Sequence, residues 1–314
     1  MHANRLWIFA GLLGVAAVAY MLLGARGSWD FLLPFRGTKL LALITVATAI
    51  ALATLLFQTI SGNRILTPSI MGFDALFVLI QTGLVFMLGG LGYVALSVEL
   101  RFAMNGALML LAALLLFGTL LGQSRADLHR MILTGIIFGV LFRSLTAFMQ
   151  RMIDPSEYSV IQVASFARFN RVETELVYIA AAIVAVLTGL VYRHHTRLDV
   201  IELGRDAAVN LGLNFDRAVI WLLLAIATLV AVSTALVGPV VFFGLLVTAL
   251  VHKIVPTHRH AILIPAAILL SAAVLVGGQT LFERVLRLET ALSVVIEFLG
   301  GLVFLFLILR KAPT

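Results

Sequence analysis

Histidines in two polar stretches are the residues of this chain whose type and spacing could bind a metal ion. His194 and His195 are adjacent, and His258 and His260 flank Arg259. The neighbouring side chains are basic, and neither pair has carboxylate partners or a spacing that defines a coordination geometry. The chain contains no cysteine, so thiolate ligands are excluded. The pattern predicts solvated basic loops and no metal site.

Polar side chains inside the apolar stretches are the other candidates for chemistry. A proton relay needs several acidic groups at mid-depth in the membrane, and only Glu297 clearly has that setting. Arg143 either pairs with Glu297 or lies near an interface. No nucleophile and base converge on one helix face, which argues against an intramembrane enzyme. The glutamines are predicted to form hydrogen bonds between helices: Gln58, Gln81, Gln150 and Gln279.

The composition indicates which class of fold must position these side chains. Of 314 residues, 62% are hydrophobic and 12% are charged, whereas soluble domains carry about 25% charged residues. The sequence therefore predicts an all-α polytopic membrane protein. No polar block reaches the roughly 100 residues of a separate soluble domain, so residues 1–314 are predicted to form a single domain. Short basic loops at lipid headgroups account for the net charge of +7, and nucleic acid is not expected as a partner.

A helix needs about 20 apolar residues to cross the hydrocarbon of a bilayer. This rule predicts about ten transmembrane helices, the first of them retained rather than removed as a signal peptide. Short polar segments between them, such as MIDPSEY at 152–158, are predicted to be turns. A slight excess of Lys and Arg favours cytoplasmic N and C termini. The predicted spans are 5–24, 38–60, 73–94, 102–122, 130–150, 174–193, 216–236, 240–254, 260–279 and 290–310.

Two breaks interrupt the apolar sequence with Pro and Gly. The first is NRILTPSIMGFD at 63–74, and the second is GPVVFFGLL at 238–246. Irregular backbone at membrane depth is tolerated where it is buried or lines a water-filled cavity, as in a translocation path. An ordinary tight turn between helices also fits, and the residues alone favour the turn over a gating loop. The candidate pathway or gate residues are Asn63, Pro68, Gly72, Asp74, Gly238, Pro239 and Gly244.

The stretch from Tyr192 to Arg217 is too charged to span a membrane and too regularly patterned for a loose loop. Within it, VIELGRDAAVNLGL spaces its apolar residues as a helix does, with interruptions at Gly204 and Gly212. The pattern predicts two short helices at an angle, in a region of about 194–216. Such helices could bind a cytoplasmic partner, or they could lie on the lipid surface.

Four motifs occur in the order found in one transporter family. They are FRGTKLLALITVATAIALATLLFQ with its basic pair, NRILTPSIMG, LGRDAAVNLGL and GPVVFFGLLVTA. With ten predicted spans, the chain resembles the permease subunits of type II ABC importers for iron-siderophore complexes, haem and vitamin B12. It departs from the family pattern at Arg64, usually Pro, and at Thr248 and Ala249, usually Pro-His. The stretch NRILTPSIMGFDALFVLIQT looks like the branch that imports ferric catecholate siderophores and pairs two different permease chains.

The resemblance implies that the 202–214 segment forms coupling helices in a cleft of an ATP-binding subunit. The chain has no phosphate-binding loop of the G-x-x-x-x-G-K-[ST] type, so it is expected to be a transport subunit and not an enzyme. ATP and Mg²⁺ would bind to a separate ATPase dimer, and no cofactor to this chain. The residues implied in coupling are Glu202, Leu203, Gly204, Arg205, Asp206, Asn210, Leu211 and Gly212.

The resemblance also implies that basic residues at the external mouth meet acidic residues of a substrate-binding protein. The matching positions are Arg36, Lys39 and Arg284, although these side chains could instead extend to the lipid interface. The implied partners are a second permease chain, a paralogue by the subgroup resemblance, and a periplasmic or lipid-anchored binding protein.

The implied function is ferric-siderophore import through the bacterial inner membrane by alternating access. The alternatives are haem or cobalamin as cargo, or a secondary transporter driven by an ion gradient. A secondary transporter predicts inverted repeats, and no convincing repeat surrounds the two breaks.

Overall fold

A computed structural model describes residues 2–25, 28–123, 128–165, 169, 172–286, 295–298, 300–302 and 305. Within these ranges the regular structure is helical throughout, as predicted. A 3₁₀ turn, Pro68–Met71, precedes α3, and a π-helical turn, Leu281–Val285, follows α12. The helices are α1 (His2–Leu22), α2 (Trp29–Ser61), α3 (Phe73–Ala95), α4 (Val98–Gln123), α5 (Leu128–Gln150), α6 (Pro155–Ser165), α7 (Thr174–Arg193), α8 (His195–Glu202), α9 (Arg205–Asn210), α10 (Phe215–Val237), α11 (Phe243–Ile254) and α12 (His260–Thr280).

Eight of the described helices are long and apolar enough to cross a membrane. They correspond to predicted spans one to seven and nine. The eighth predicted span is α11, which has only 12 residues. Most of the tenth, 290–310, lies outside the described residues. The chain is a multi-pass membrane protein, and its count of ten spans stays a prediction.

Two local predictions differ from the structure. The second span begins at Trp29 rather than at 38, so Arg36 and Lys39 lie inside α2. The apolar run from Phe31 to Phe35 extends the helix towards its start, and Pro34, in its second turn, removes one backbone hydrogen bond without ending it.

The segment 152–158, predicted as a turn, starts the helix α6. The Asp154 carboxylate accepts hydrogen bonds from the backbone N–H and the hydroxyl of Ser156, at 2.9 and 2.8 Å. These bonds stabilise the charged form and lower the pKa of Asp154. Pro155 occupies the first position of α6, where its missing N–H is not needed. The dipeptide Asp-Pro before an apolar stretch was therefore a helix-start signal.

Helix α2 is the centre of the bundle. It contacts α1, α7, α10, α11 and α12. In its most apolar 18-residue stretch, 78% of the residues are buried, against 11% in that of α1. Its sequence is rich in Ala and Thr, such as Ala47, Ala51 and Thr54, whose small side chains let neighbouring backbones approach closely. The peripheral helices leave large apolar side chains for lipid or partner chains to cover.

The contacts at helix ends define two ends of the bundle. At one end, Arg5 of α1 bonds to the Ile254 carbonyl at the end of α11, and Asp199 of α8 bonds to His260 at the start of α12. At the other end, Arg36 of α2 bonds to carbonyls where α1 finishes. We call the first the α8 end and the second the α1–α2 end.

Candidate gate, coupling surface and docking cluster

The first break is a folded connection and not a loose loop. Helix α2 ends at Ser61, and the chain returns through the 3₁₀ turn to Gly72, whose φ of +88° ends the turn before α3. Gly72 also touches Gly139 of α5: a Cβ on Gly72 would lie 2.6 Å from the Gly139 Cα atom. Glycine is needed at Gly72 both for its backbone conformation and for this close approach.

The second break brings α11 against the central helix. Helix α10 ends at Val237, and Gly238 has a φ of +99°. Gly244, in the first turn of α11, packs on α2, where an added Cβ would lie 3.0 Å from the Thr54 Cβ. Pro239 is buried between these two glycines. The predicted irregular backbone is therefore packed inside the protein.

The structure brings the two breaks together, which sequence spacing could not show. The Ser69 hydroxyl of the 3₁₀ turn donates to the Val241 carbonyl of the second break at 3.3 Å. Between them is a small cavity of about 20 Å³, room for about one water molecule. Its polar lining comes from both breaks and from α2 and α10: Thr54, Ser69, Asp74, Ser233 and Thr234.

Asp74 is the one carboxylate in the lining of this cavity. It lies at the start of α3, where the helix dipole favours a negative charge. Arg143 and Glu297 are near enough to act electrostatically on it. Pro68 also lines the cavity, whereas Asn63 is exposed and accepts the Ile65 backbone N–H at 3.0 Å, which shapes the turn. Sequence reasoning singled out Asp74 and Pro68 but missed Ser233, Thr234 and Ser69.

The segment between α7 and α10 contains two short helices, α8 and α9, at the positions that the pattern predicted. Gly204 and Gly212 have φ values of +93° and +84° and interrupt the helices there. Three apolar side chains point away from the fold: Leu203 and Leu211 are each 64% exposed, and Val209 is 51% exposed. Asp206 and Asn210 are exposed between them. This surface, Leu203–Gly212, is apolar with a polar rim, and we call it the coupling surface.

The coupling surface is held rigidly on its inner side. Arg205 pairs with Asp216 of α10 through two N–O contacts of 2.9 and 3.1 Å, a bidentate geometry that fixes orientation. Ala208 of α9 is fully buried. The side chain of Asn214 accepts the Arg217 backbone N–H and caps α10. These contacts hold α9 against the start of α10.

Helix α8 is joined to the first break by an ionic cluster. Glu202 lies 3.8 Å from the Arg64 guanidinium and 3.2 Å from Nδ1 of His258. The carbonyl of Arg64 in turn accepts a hydrogen bond of 2.7 Å from Gln58, which also donates to Thr248 of α11 at 3.0 Å. The glutamine thus connects two helices, as predicted, and Arg64 and Thr248, both departures from the family pattern, are parts of this linkage.

A second linkage runs through His260, which is 1% exposed. Its Nδ1 donates to Asp199 of α8 at 2.8 Å, and its Nε2 is 2.8 Å from the Thr59 hydroxyl of α2. The prediction that the histidines lie in solvated loops without carboxylate partners was wrong for His260, which is buried. For His258, which is exposed in a loop, the expected absence of a carboxylate partner was wrong, because it contacts Glu202. Their partners, 56 and 61 residues away in sequence, carried no local signal. Within the described ranges no group of three or more metal-ligating side chains occurs.

The three residues predicted to dock a binding protein gather at the α1–α2 end. The Arg36 guanidinium is buried and donates to four carbonyls at the end of α1, at distances of 2.7 to 3.1 Å. Arg284 pairs with Glu283 at 2.9 Å and lies over the Tyr20 ring. Lys39 is partly exposed above the Phe35 ring. Arg36 is thus engaged within the fold by backbone carbonyls and Arg284 by Glu283, whereas the described contact of Lys39 is with the Phe35 ring.

Known proteins are similar to this chain in sequence and in fold over almost its whole length. A family model described as the FecCD transport family matches residues 5–310. The petrobactin import system permease protein YclO of Bacillus subtilis is 42% identical over 300 residues, covering 95% of each chain. The petrobactin import system permease protein FatC of Bacillus anthracis is 32% identical and covers 88% of this chain and 78% of its own. A solved structure described as an inward-facing metal-chelate type ABC transporter has a TM-score of 0.85 at 19% identity, covering 99% of this chain and 100% of that one.

Proposed function

This chain belongs to the FecCD transport family and is a permease subunit of an ABC importer, and from that premise we propose that its cargo is a ferric siderophore. The carrying observation is the 42% identity, over 95% of both chains, to a relative named as a petrobactin permease. Ferric petrobactin is therefore the first cargo to test. Haem and cobalamin are the alternatives, since permeases named for each are 26% and 27% identical to this chain.

We propose that the α8 end faces the cytoplasm and that the coupling surface binds the ATPase. A slight excess of basic residues lies at this end, among them Arg5, Arg64, Arg197 and Lys253, which fits the positive-inside rule. Exposed leucines within a polar rim have the composition of a protein interface. ABC importers work with an ATPase and a binding protein, and the second permease is proposed to be a paralogue.

The proposed mechanism is alternating access driven by movement of the coupling surface. ATP-dependent closure of the ATPase pushes α8 and α9, and the Glu202 and His260 linkages carry that movement to the ends of α2 and α12. The first break directly follows α2, and the second follows α10. The two breaks meet at Ser69 and Val241 and form the gate. Packed elements with two discrete arrangements are what such transmission needs.

Uptake of ⁵⁵Fe tests the cargo. Cells that lack the chain and carry it on a plasmid are given ferric petrobactin, ferric enterobactin, haemin or labelled cobalamin. We expect uptake of a ferric siderophore to depend on the plasmid and to stop when ATP is depleted. Plasmid-dependent uptake of only haemin or cobalamin would change the cargo, and uptake that survives ATP depletion but needs an ion gradient would refute the ATP-driven mechanism.

Co-purification tests the assembly. The tagged chain, extracted in mild detergent from its native membrane, is expected to bring an ATPase and a second, different permease, both identified by mass spectrometry. A second copy of this chain in place of the paralogue would make the permease a homodimer.

A further inference from the structure

A groove opens on the exposed side of α7 and α10, beside α8. Its volume is about 470 Å³, within the roughly 300–1,000 Å³ of pockets that hold small organic ligands. Its walls are almost entirely apolar, with Leu187 and Leu190 from α7 and Trp221 and Ala225 from α10. The groove shares no lining residue with the cavity between the breaks, although both are lined in part by α10.

The depth of the groove in the membrane restricts what can enter it. On α10 its lining runs from Ala218 to Thr228, and these two residues are about 15 Å apart along the helix. That distance is half of the roughly 30 Å hydrocarbon layer. Both walls belong to helices that are long and apolar enough to cross a membrane. The groove starts at the α8 end, where α7 finishes and α10 begins. Its length therefore matches the acyl region of one leaflet.

The mouth of the groove is basic. His194 and Arg197 line it, and both are exposed. Nδ1 of His194 donates to the Leu190 carbonyl at 2.9 Å, which leaves Nε2 for another group. No carboxylate among the described residues pairs with Arg197. Trp221, 72% exposed on the wall, has the amphipathic ring that concentrates at lipid headgroups.

We propose that this groove binds an anionic phospholipid, with an acyl chain between α7 and α10 and its phosphate at Arg197 and His194. A guanidinium recognises phosphate through paired hydrogen bonds, and the apolar walls exclude a hydrophilic ligand. Leu198 and Ile201 of α8 also line the groove and are buried. The lipid therefore packs against α8, and its influence on coupling rests on the proposed function.

Photo-crosslinking tests the site in the assembled importer in nanodiscs, without cargo or ATP. The probe is phosphatidylglycerol with a photoreactive acyl chain, compared with phosphatidylcholine carrying the same group. We expect phosphatidylglycerol to label peptides that contain Leu190 or Trp221. Arg197→Gln should lower this labelling about fivefold, the effect of one basic side chain at an anionic lipid surface. Arg217→Gln, an equal charge change outside the groove, should leave it unchanged.

A second variant distinguishes the contribution of the apolar groove to lipid binding from that of the charge of Arg197. Ala225→Trp fills the groove and keeps Arg197, so labelling of Leu190 should disappear while the assembly elutes normally. Equal labelling by phosphatidylcholine, equal loss in Arg217→Gln, or full labelling in Ala225→Trp would overturn the proposal. Labelling of a different protein chain instead of Leu190 and Trp221, which would indicate that this chain fills the groove, would also overturn the proposal. Because no transport is measured, failure here leaves the cargo assignment standing, and the reverse also holds.

Discussion

Arg36 shows how a residue singled out for binding can be a structural residue. Its guanidinium supplies donors to four carbonyls that the end of α1 leaves without helical partners. Those carbonyls are buried or half-buried, so removing the donors is unfavourable. The family resemblance implied that Arg36 and Lys39 lie at the external mouth but gave no information about burial, because the end of α1 approaches from outside the motif.

The two basic residues should therefore respond differently to substitution. Arg36→Gln is expected to lower the free energy of unfolding by about 2–3 kcal/mol, because charged hydrogen bonds to buried carbonyls are lost. Lys39→Gln should leave stability unchanged and slow association of the binding protein about threefold, an effect that weakens with salt. Thermal unfolding in detergent and surface plasmon resonance measure the two. If Lys39→Gln associates like the wild type, Lys39 has no role in docking.

Two glycines with similar backbone angles offer a matched comparison. Gly62 has a φ of +61° and nothing within 4 Å of an added Cβ, whereas Gly72, at +88°, touches Gly139. Gly62→Ala should destabilise by about 1 kcal/mol from backbone strain alone. Gly72→Ala should destabilise by about 3 kcal/mol, because overpacking adds to that strain. Chemical unfolding in detergent tests this, and equal effects would show that the Gly72–Gly139 contact relaxes freely.

The elements differ in how far sequence could predict them. Helix α7 has the predicted bounds because a uniform apolar run ends at charged residues on both sides. Helix α6 was missed because its polar start was taken as a turn, although Asp154 and Pro155 are typical of a helix start. The cavity between the breaks and the pairing of Asp199 with His260 depend on tertiary packing, and hydrophobic periodicity contains no information about which helices meet.

The His260 linkage predicts a specific uncoupling. His260→Ala removes both contacts between α8, α12 and α2, so ATP hydrolysis in the assembled importer should continue while uptake falls about tenfold. Asp199→Asn keeps a side-chain oxygen that accepts the two N–H groups of His260 and should transport like the wild type. Parallel ATPase and vesicle uptake assays measure the ratio of cargo uptake to ATP hydrolysis. A proportional fall of both activities would indicate general damage instead.

The coupling surface predicts a loss of assembly without a loss of folding. Leu203→Asp and Leu211→Asp each place a charge in an exposed apolar patch and should weaken ATPase binding about tenfold, as expected for central interface residues. Ser159→Asp adds the same charge at the opposite end of the bundle and serves as the control. Pull-down of the ATPase at several concentrations measures the change. Unchanged binding in both leucine variants would move the interface elsewhere.

The whole molecule lends itself to a test of orientation because it contains no cysteine. Single cysteines can be placed at Thr196, at the α8 end, and at Ser156, at the opposite end. With a cytoplasmic α8 end, a membrane-impermeant maleimide should label Ser156→Cys in intact spheroplasts and Thr196→Cys only after lysis. The reverse pattern would invert the topology and relocate the ATPase interface.

The contact between Gly72 and Gly139 has a consequence for how the gate opens. At Gly72 and Gly139 the two backbones meet with no side chain between them, whereas one turn earlier on α5 the Met71 side chain of the 3₁₀ turn packs on Gly135. The glycine contact therefore sets no steric barrier to sliding, and the Met71 side chain is the group that must move past Gly135. Opening at this point is expected to be a shear of about a few ångströms in which Met71 changes its packing, and a hinge would need a pivot that the packed turn does not offer.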